Sequence, residues 1–162
     1  MTMQAAETAQ TSVRRSITVN VPIERAFRVF TEGMHTWWPP EHHLIEADLA
    51  EMVFEPRVGG AIKDVGVDGS ECAWATVLAY EPPTRVVFSW NIGLDWKLES
   101  DPERASRVEV RFTRQGEHAT LVELEHRDFE RHGEGWESMR DAVGSPGGWS
   151  LEGYAAAAER AA

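Results

Sequence analysis

The chain has 162 residues, 42% of them apolar, and a formal net charge of −11. That length and apolar share suit one domain with a sizeable core and exclude a wholly disordered chain. The acidic balance argues against nucleic acid and against an anionic membrane surface, both of which call for clustered Lys and Arg.

Met1 to Ser12 is polar and lacks the apolar stretch of a secretory signal, so residues 1–12 read as a loose tail and 13–162 as one domain. Arg14 to Val21 alternates as a strand, with Ile17, Val19 and Val21 on one face. Pro22 opens a helix in which Ile23, Ala26, Phe27 and Phe30 form one stripe, and Gly33 ends it. Met34 to Pro40 reads as a short helical turn stopped by two prolines.

Glu51 to Glu55 and Ala61 to Val67 read as strands, with a turn at Pro56 to Gly60 between them. Trp74 to Trp90 holds two strand-like runs joined by Glu81-Pro82-Pro83. Asn91 to Ala105 is a long connection.

Arg107–Arg114 and Ala119–His126 form the clearest hairpin. Matching the apolar faces sets Val110 opposite Leu124, Phe112 opposite Val122 and Arg111 opposite Glu123. A slip of one residue would bury charges. Gly116-Glu117-His118 is then the loop. The final part is helical: a short stripe of Trp136, Met139 and Val143 ends at Gly144. A second helix is expected to begin at Ser145-Pro146, with Trp149, Leu151, Tyr154, Ala155 and Ala158 on its apolar face.

This order is strand, helices, about six strands in antiparallel meander, then a C-terminal helix that must cover the apolar face of the sheet. The single cysteine, Cys72, allows no internal disulfide and suits a reducing cytoplasm. No apolar run approaches the roughly 18 residues that span a bilayer.

Several segments resemble the START-like (SRPBCC) helix-grip superfamily, and within it bacterial proteins of the AHSA type, similar to the C-terminal domain of the heat-shock-chaperone ATPase activators. They are Val21-Pro22-Ile23-Glu24-Arg25-Ala26-Phe27, Trp37-Trp38-Pro39, Pro56-Arg57-Val58-Gly59-Gly60 and Trp74 to Trp90. His126 at the end of the last strand and Gly147-Gly148-Trp149 near the C-terminal helix complete the set. The likeness covers residues 14–160. It implies an α+β fold, a curved antiparallel sheet of six to seven strands wrapped around a long C-terminal helix, with two short helices after the first strand. Superfamily members bind lipids, sterols, polyketides and hormones, or cyclise polyketides. Fold analogy does not choose among these. The eukaryotic activators carry a second, chaperone-binding domain for which 162 residues leave no room, so chaperone activation is not expected.

The chemistry is sparse. His35, His42 and His43 with Glu41 and Glu46 fit no metal motif and read as exposed loop residues; no metal and no cofactor is expected. His126 shares the inward face of its strand with Val122 and Leu124. There it either serves a ligand as donor or general base or hydrogen-bonds to backbone at the sheet's end. Trp37, Trp38, Trp90 and Trp96 either line a mouth or pack in the core. Trp37 and Trp38 are adjacent, so one of them should see the cavity or solvent, and the face of Trp74 is open. Asp64, Glu71 and Asp95 are candidates for acidic groups at the rim, and nothing in the sequence marks them off from ordinary surface carboxylates. Ser89 lacks a nucleophile elbow, Gly59-Gly60 is a bare turn, and Cys72 has no base near it.

The leading expectation is a cavity between sheet and C-terminal helix that binds a small apolar molecule. Its lining is expected to include Phe88, Trp90, Val110, Leu124 and Tyr154, with Trp37 and Trp38 at the mouth and His126 and Asn91 as polar groups. The alternatives are a polyketide cyclase-like enzyme using a cavity His or carboxylate, and a chaperone-interacting module with a large exposed apolar patch. A homodimer is compatible with each.

Overall fold

The structure, a computed structural model, describes residues 12–39, 42–145 and 148–160. Strand β1 (Val13–Val19) leads into helix α1 (Ile23–Phe30) and a 3₁₀ turn at Met34–Thr36. Six strands follow: β2 (Leu49–Phe54), β3 (Ala61–Gly66), β4 (Glu71–Glu81), β5 (Arg85–Trp90), β6 (Ser106–Gly116) and β7 (Ala119–Arg127). A 3₁₀ turn at Phe129–His132 and helices α2 (Trp136–Val143) and α3 (Glu152–Arg160) complete the chain.

The strands form one antiparallel sheet in the order β1-β7-β6-β5-β4-β3-β2. Register shifts in the β2–β3, β3–β4, β4–β5 and β6–β7 pairs curl it, because each extra residue bends its strand. The shift in β3–β4 also explains Trp74: both Trp74 and its neighbour Ala75 are buried, which strict alternation forbids.

The stripe Ile23, Ala26, Phe27, Phe30 is buried, as its spacing requires. Pro22 sits just outside α1, in the N-cap position. The C-terminal helix docks on α1 through Tyr154, whose hydroxyl donates to the Ala26 carbonyl at 2.6 Å, and through Arg25, whose Nε donates to the Ala158 carbonyl at 2.9 Å.

The hairpin has the expected register, with Val110 facing Leu124, Phe112 facing Val122 and Arg111 facing Glu123. Two details differ. Gly116 pairs with Ala119, so the turn is the two residues Glu117-His118. The Arg111 guanidinium lies 2.8 Å from Glu109 rather than on Glu123. Glu109 also takes Arg85 at 2.7 Å and Arg127 at 2.6 Å on the outer face of the sheet. Burial alone would raise the Glu109 pKa, but these arginines bring it below the usual carboxylate value.

The helix expected from Ser145-Pro146 begins instead at Glu152, and Trp149 and Leu151 precede it. Pro146 and Gly147 lie outside the described residues, as do residues 1–11 of the expected tail; Ser12 is buried beside β1. The chain after Gly144 serves the end of α2. Trp149 N–H donates to the Val143 carbonyl at 2.8 Å and Gly148 N–H to the Ser145 carbonyl at 2.9 Å. A Cβ at Gly148 would collide with the Val143 carbonyl, so only glycine permits this approach.

Candidate functional site: a tryptophan-lined cavity

A cavity of about 440 Å³ opens between β3, β4, the end of β5 and the two C-terminal helices. Trp37, Trp38, Pro39, His42, His43 and Leu44 supply one wall from the segment after α1. The sheet contributes Asp64 from β3, Trp74 from β4, and Trp90 with Ile92 from β5 and its exit. Ala142 and Val143 of α2, then Trp149, Ser150 and Gly153, close the far side, and Trp96 stands at the edge, half exposed.

The adjacent Trp37 and Trp38 both reach the cavity because they follow a 3₁₀ turn, where successive side chains do not alternate between faces. Trp37 donates its N–H to the Val29 carbonyl at 3.0 Å and Trp38 to the His42 carbonyl at 2.9 Å. Trp38 packs on Trp74 with ring centroids 5.3 Å apart and meets Trp149 edge-on at 5.7 Å. Trp90 meets Trp74 edge-on at 5.6 Å.

Trp96 sits at the tip of a tight turn, with the Gly93 N–H on the Lys97 carbonyl at 2.8 Å and a bridge between Ile92 and Leu98. Its φ of 61° lies in the left-handed region, a strained conformation for tryptophan that places the ring beside the mouth.

Asp64 is 1% exposed. The alternation of β3 turns Ile62, Asp64 and Gly66 inward together. The Leu44 N–H donates to Asp64 Oδ2 at 2.8 Å, while Oδ1 is buried without a partner. Burial raises its pKa above the usual 3.8. The Leu44 N–H, the Trp74 side chain and the charge of His43 oppose that rise without cancelling it.

His126 is fully buried and stands behind the wall, 5.0 Å from Trp90 and 6.2 Å from Trp149 between ring centroids. The Trp149 indole N–H, which can only donate, bonds to His126 Nδ1 at 3.0 Å. The proton of the neutral ring is therefore on Nε2, which donates to Ser106 Oγ at 2.8 Å. The Ser106 hydroxyl in turn donates to His132 Nε2 at 2.8 Å. His132 Nδ1, which then carries the proton, is buried without a partner. Burial, and secondarily His132, hold His126 well below the ordinary histidine pKa.

Of the residues singled out in the sequence, Trp37, Trp38 and Trp90 lie on the cavity wall. Phe88, Val110 and Leu124 lie in the core beneath it, and Tyr154 packs on Phe30 and Trp37. Asn91 is half-buried at the end of β5, its Oδ1 without a partner. His126 acts through Trp149. Asp64, Trp74 and Trp149, which are not in the lining expected from the sequence, also stand on the wall. The signal for Asp64 was its even spacing from the inward-facing Ile62.

The other acids are tied at the surface: Glu71 pairs with Lys63 at 3.1 Å, and Asp95 accepts the Lys97 N–H at 3.1 Å. Ser89 Oγ accepts the Thr76 N–H at 2.9 Å, a structural role. Burial and Asp64 raise the Cys72 pKa, which disfavours a thiolate. His35 accepts the Met52 N–H at 3.3 Å, and His43 Nδ1 meets the Ile45 carbonyl at 2.8 Å. Glu41 lies outside the described residues. Among the described residues no group of three His, Cys, Asp or Glu could hold a metal ion. No described helix is long and apolar enough to cross a membrane.

A curled seven-stranded sheet with its cavity under the C-terminal segment agrees with the family comparison. The family model "activator of Hsp90 ATPase homolog 1-like protein" matches residues 20–150. The chain belongs to this family. Among solved structures, Txn09, an anthrahydroquino-gamma-pyrone synthase solved as a complex, is 38% identical. That match covers 89% of this chain and 94% of Txn09, with a TM-score of 0.63. CalC from Micromonospora echinospora, a self-sacrificing resistance protein, is 24% identical over 94% of this chain and 96% of its own, with a TM-score of 0.68. An HSP90 activator from Plasmodium falciparum is 21% identical over 73% of each chain, with a TM-score of 0.50. The last two establish likeness of fold alone. No curated protein sequence matches the chain.

Proposed function

We propose that the protein binds a flat, largely aromatic small molecule in this cavity, held against indole rings. One observation carries the reading: six of the chain's seven tryptophans, Trp37, Trp38, Trp74, Trp90, Trp96 and Trp149, line one space of about 440 Å³. That volume lies within the roughly 300–1,000 Å³ of small-molecule sites. The 38% identity to a synthase named for a fused-ring aromatic supports the same class of ligand.

A second reading follows from Asp64. A buried carboxylate with one free oxygen on the wall suits an acid–base group, so the bound molecule is then a substrate and the protein an enzyme of the synthase or cyclase kind. His126 is unsuited to that role, because both of its ring nitrogens are engaged behind the wall. A chaperone-interacting role has support from the name of the family model and from likeness of fold to the Plasmodium protein, and from no feature of the cavity. The lone thiol suits a cytoplasmic setting, and the acidic charge suits a site without nucleic acid or anionic membrane.

Titration with anthraquinone tests the binding reading. Saturable quenching of tryptophan fluorescence is expected, along with a rise in melting temperature by mass action. Gly153→Trp should abolish both while circular dichroism stays native, because a Cβ at Gly153 meets only the Trp37 oxygen, at an ordinary 3.6 Å. Quenching that does not saturate, or a Gly153→Trp variant that binds as the parent does, would sink the proposal.

A further inference from the structure

The wall of the cavity holds two polar groups that the fold leaves incomplete, and they are complementary in kind. Trp37, Trp38 and Trp149 each direct the indole N–H to an acceptor within the protein. Trp90 does not: its Nε1 is buried without a partner. Asp64, another lining residue, has Oδ2 engaged by the Leu44 N–H and Oδ1 without a hydrogen bond of good geometry, although the Trp74 side chain lies near enough to favour the charged carboxylate. The carboxylate oxygen accepts, and the indole N–H only donates. A buried polar atom without a partner is uncommon in a folded protein. Two of them on residues that line one cavity, one acceptor and one donor, each shielded from solvent in the free protein, describe what a ligand that reaches them must bring.

We infer that the cavity selects a flat aromatic molecule bearing both a hydroxyl and a carbonyl, the hydroxyl donating to Asp64 Oδ1 and the carbonyl accepting from Trp90 Nε1. The inference rests on the proposal above that a flat aromatic molecule occupies this site, and adds the two groups by which it is recognised. An ammonium ligand would also suit a carboxylate among indoles. It supplies donors only, however, and would leave Trp90 Nε1 unpaired. An apolar hydrocarbon satisfies neither atom. The raised pKa of Asp64 agrees with this choice, since a carboxylate short of partners gains from a ligand hydroxyl that hydrogen-bonds to its charged form. The same contact puts a proton-accepting oxygen against an ionisable hydroxyl, the arrangement an acid–base step on such a ligand requires.

The test compares 2-hydroxyanthraquinone with 2-methoxyanthraquinone by fluorescence titration of the full chain. Both probes carry the carbonyls, and only the first donates. The parent protein should bind the hydroxy compound about tenfold or more tightly than the methoxy compound, the usual effect of a hydrogen bond to a charged group. Asp64→Asn keeps an oxygen for Leu44 and removes the acceptor, so the two affinities should come within about threefold of each other. Trp90→Phe should weaken both probes by about three- to tenfold and leave the hydroxyl preference intact, which separates the two contacts. Equal affinities on the parent protein would overturn the inference and leave the cavity reading standing. So would a hydroxyl preference that survives Asp64→Asn, or tighter binding of 1-naphthylmethylammonium than of the hydroxy compound. Failure of every probe to quench the parent protein would remove the cavity reading, and the inference with it.

Discussion

Ser106→Ala is the sharpest probe of how the cavity wall is held. Ser106 is fully buried, and its hydroxyl lies 2.8 Å from Nε2 of both His126 and His132. Because the Trp149 N–H fixes the direction of the chain, Ser106 accepts from one ring and donates to the other. Alanine removes both contacts at once and strands a buried donor on His126 and a buried acceptor on His132. Each stranded group costs about 1–3 kcal/mol. Small shifts of the surrounding side chains recover part of this, so a total of about 2–4 kcal/mol is expected rather than the full sum. Against a usual stability of about 5–15 kcal/mol that is a large fraction. In a domain of this size it lowers the melting temperature by roughly 5–15 °C. Urea unfolding monitored by circular dichroism gives the free energy, and an unchanged slope shows that compactness is unaffected. A loss below about 0.5 kcal/mol would refute the argument. So would a double-mutant cycle with Trp149→Phe that is additive, since a connected chain requires coupling between its ends.

Asp64→Asn should raise the melting temperature of the free protein. An acid whose pKa is raised on folding binds its proton more tightly folded than unfolded, so its ionisation destabilises the fold as pH rises past 3.8 toward the folded value, and the amide removes that cost; a lower melting temperature would show that the carboxylate is well satisfied. His126 and His132 have lowered pKa values, so the unfolded chain takes up protons that the fold refuses, and stability should fall as pH drops from about 6.5. Unfolding midpoints that do not differ between about pH 7.5 and 5.5 would contradict this. Tyr154→Phe removes the 2.6 Å bond that ties α3 to the Ala26 carbonyl and should cost about 0.5–1.5 kcal/mol in urea unfolding; no loss would mean that the bond contributes nothing to docking.

The parts of the fold that were legible in the sequence are those set by period and by burial. The stripe of α1 and the alternation of β6 and β7 leave one arrangement that keeps charges out of the core, and the register follows. Where local rules competed, tertiary geometry won. Ser145-Pro146 has the form of a helix start, yet the following residues fold back onto the last carbonyls of α2, an approach that depends on the missing Cβ of Gly148. Arg111 faces Glu123 across the hairpin, yet Glu109 lies closer and already gathers Arg85 and Arg127. Trp74 could not be placed because a bulge, which shows in no periodicity, lets two successive residues of β4 turn inward.

Asp64 shows why a site is harder to read than a fold. Sequence patterns tell where apolar residues must go, and an acid at an inward position reads as an exception to be placed at the surface. The strand obeys its period all the same, and Asp64 goes inside with Ile62. The fold carries the cost of a buried, half-satisfied carboxylate and of a buried, unpaired indole N–H on two residues that line the same cavity. Relaxing those two groups with apolar substitutes would stabilise the sheet and leave the cavity a plain hydrophobic slot. On the proposed function, their presence among six tryptophans trades stability for recognition. The expected rise in melting temperature on Asp64→Asn and the expected loss of hydroxyl selectivity in the same variant are therefore two faces of one claim. A variant that gained stability and kept its selectivity would break the link between them.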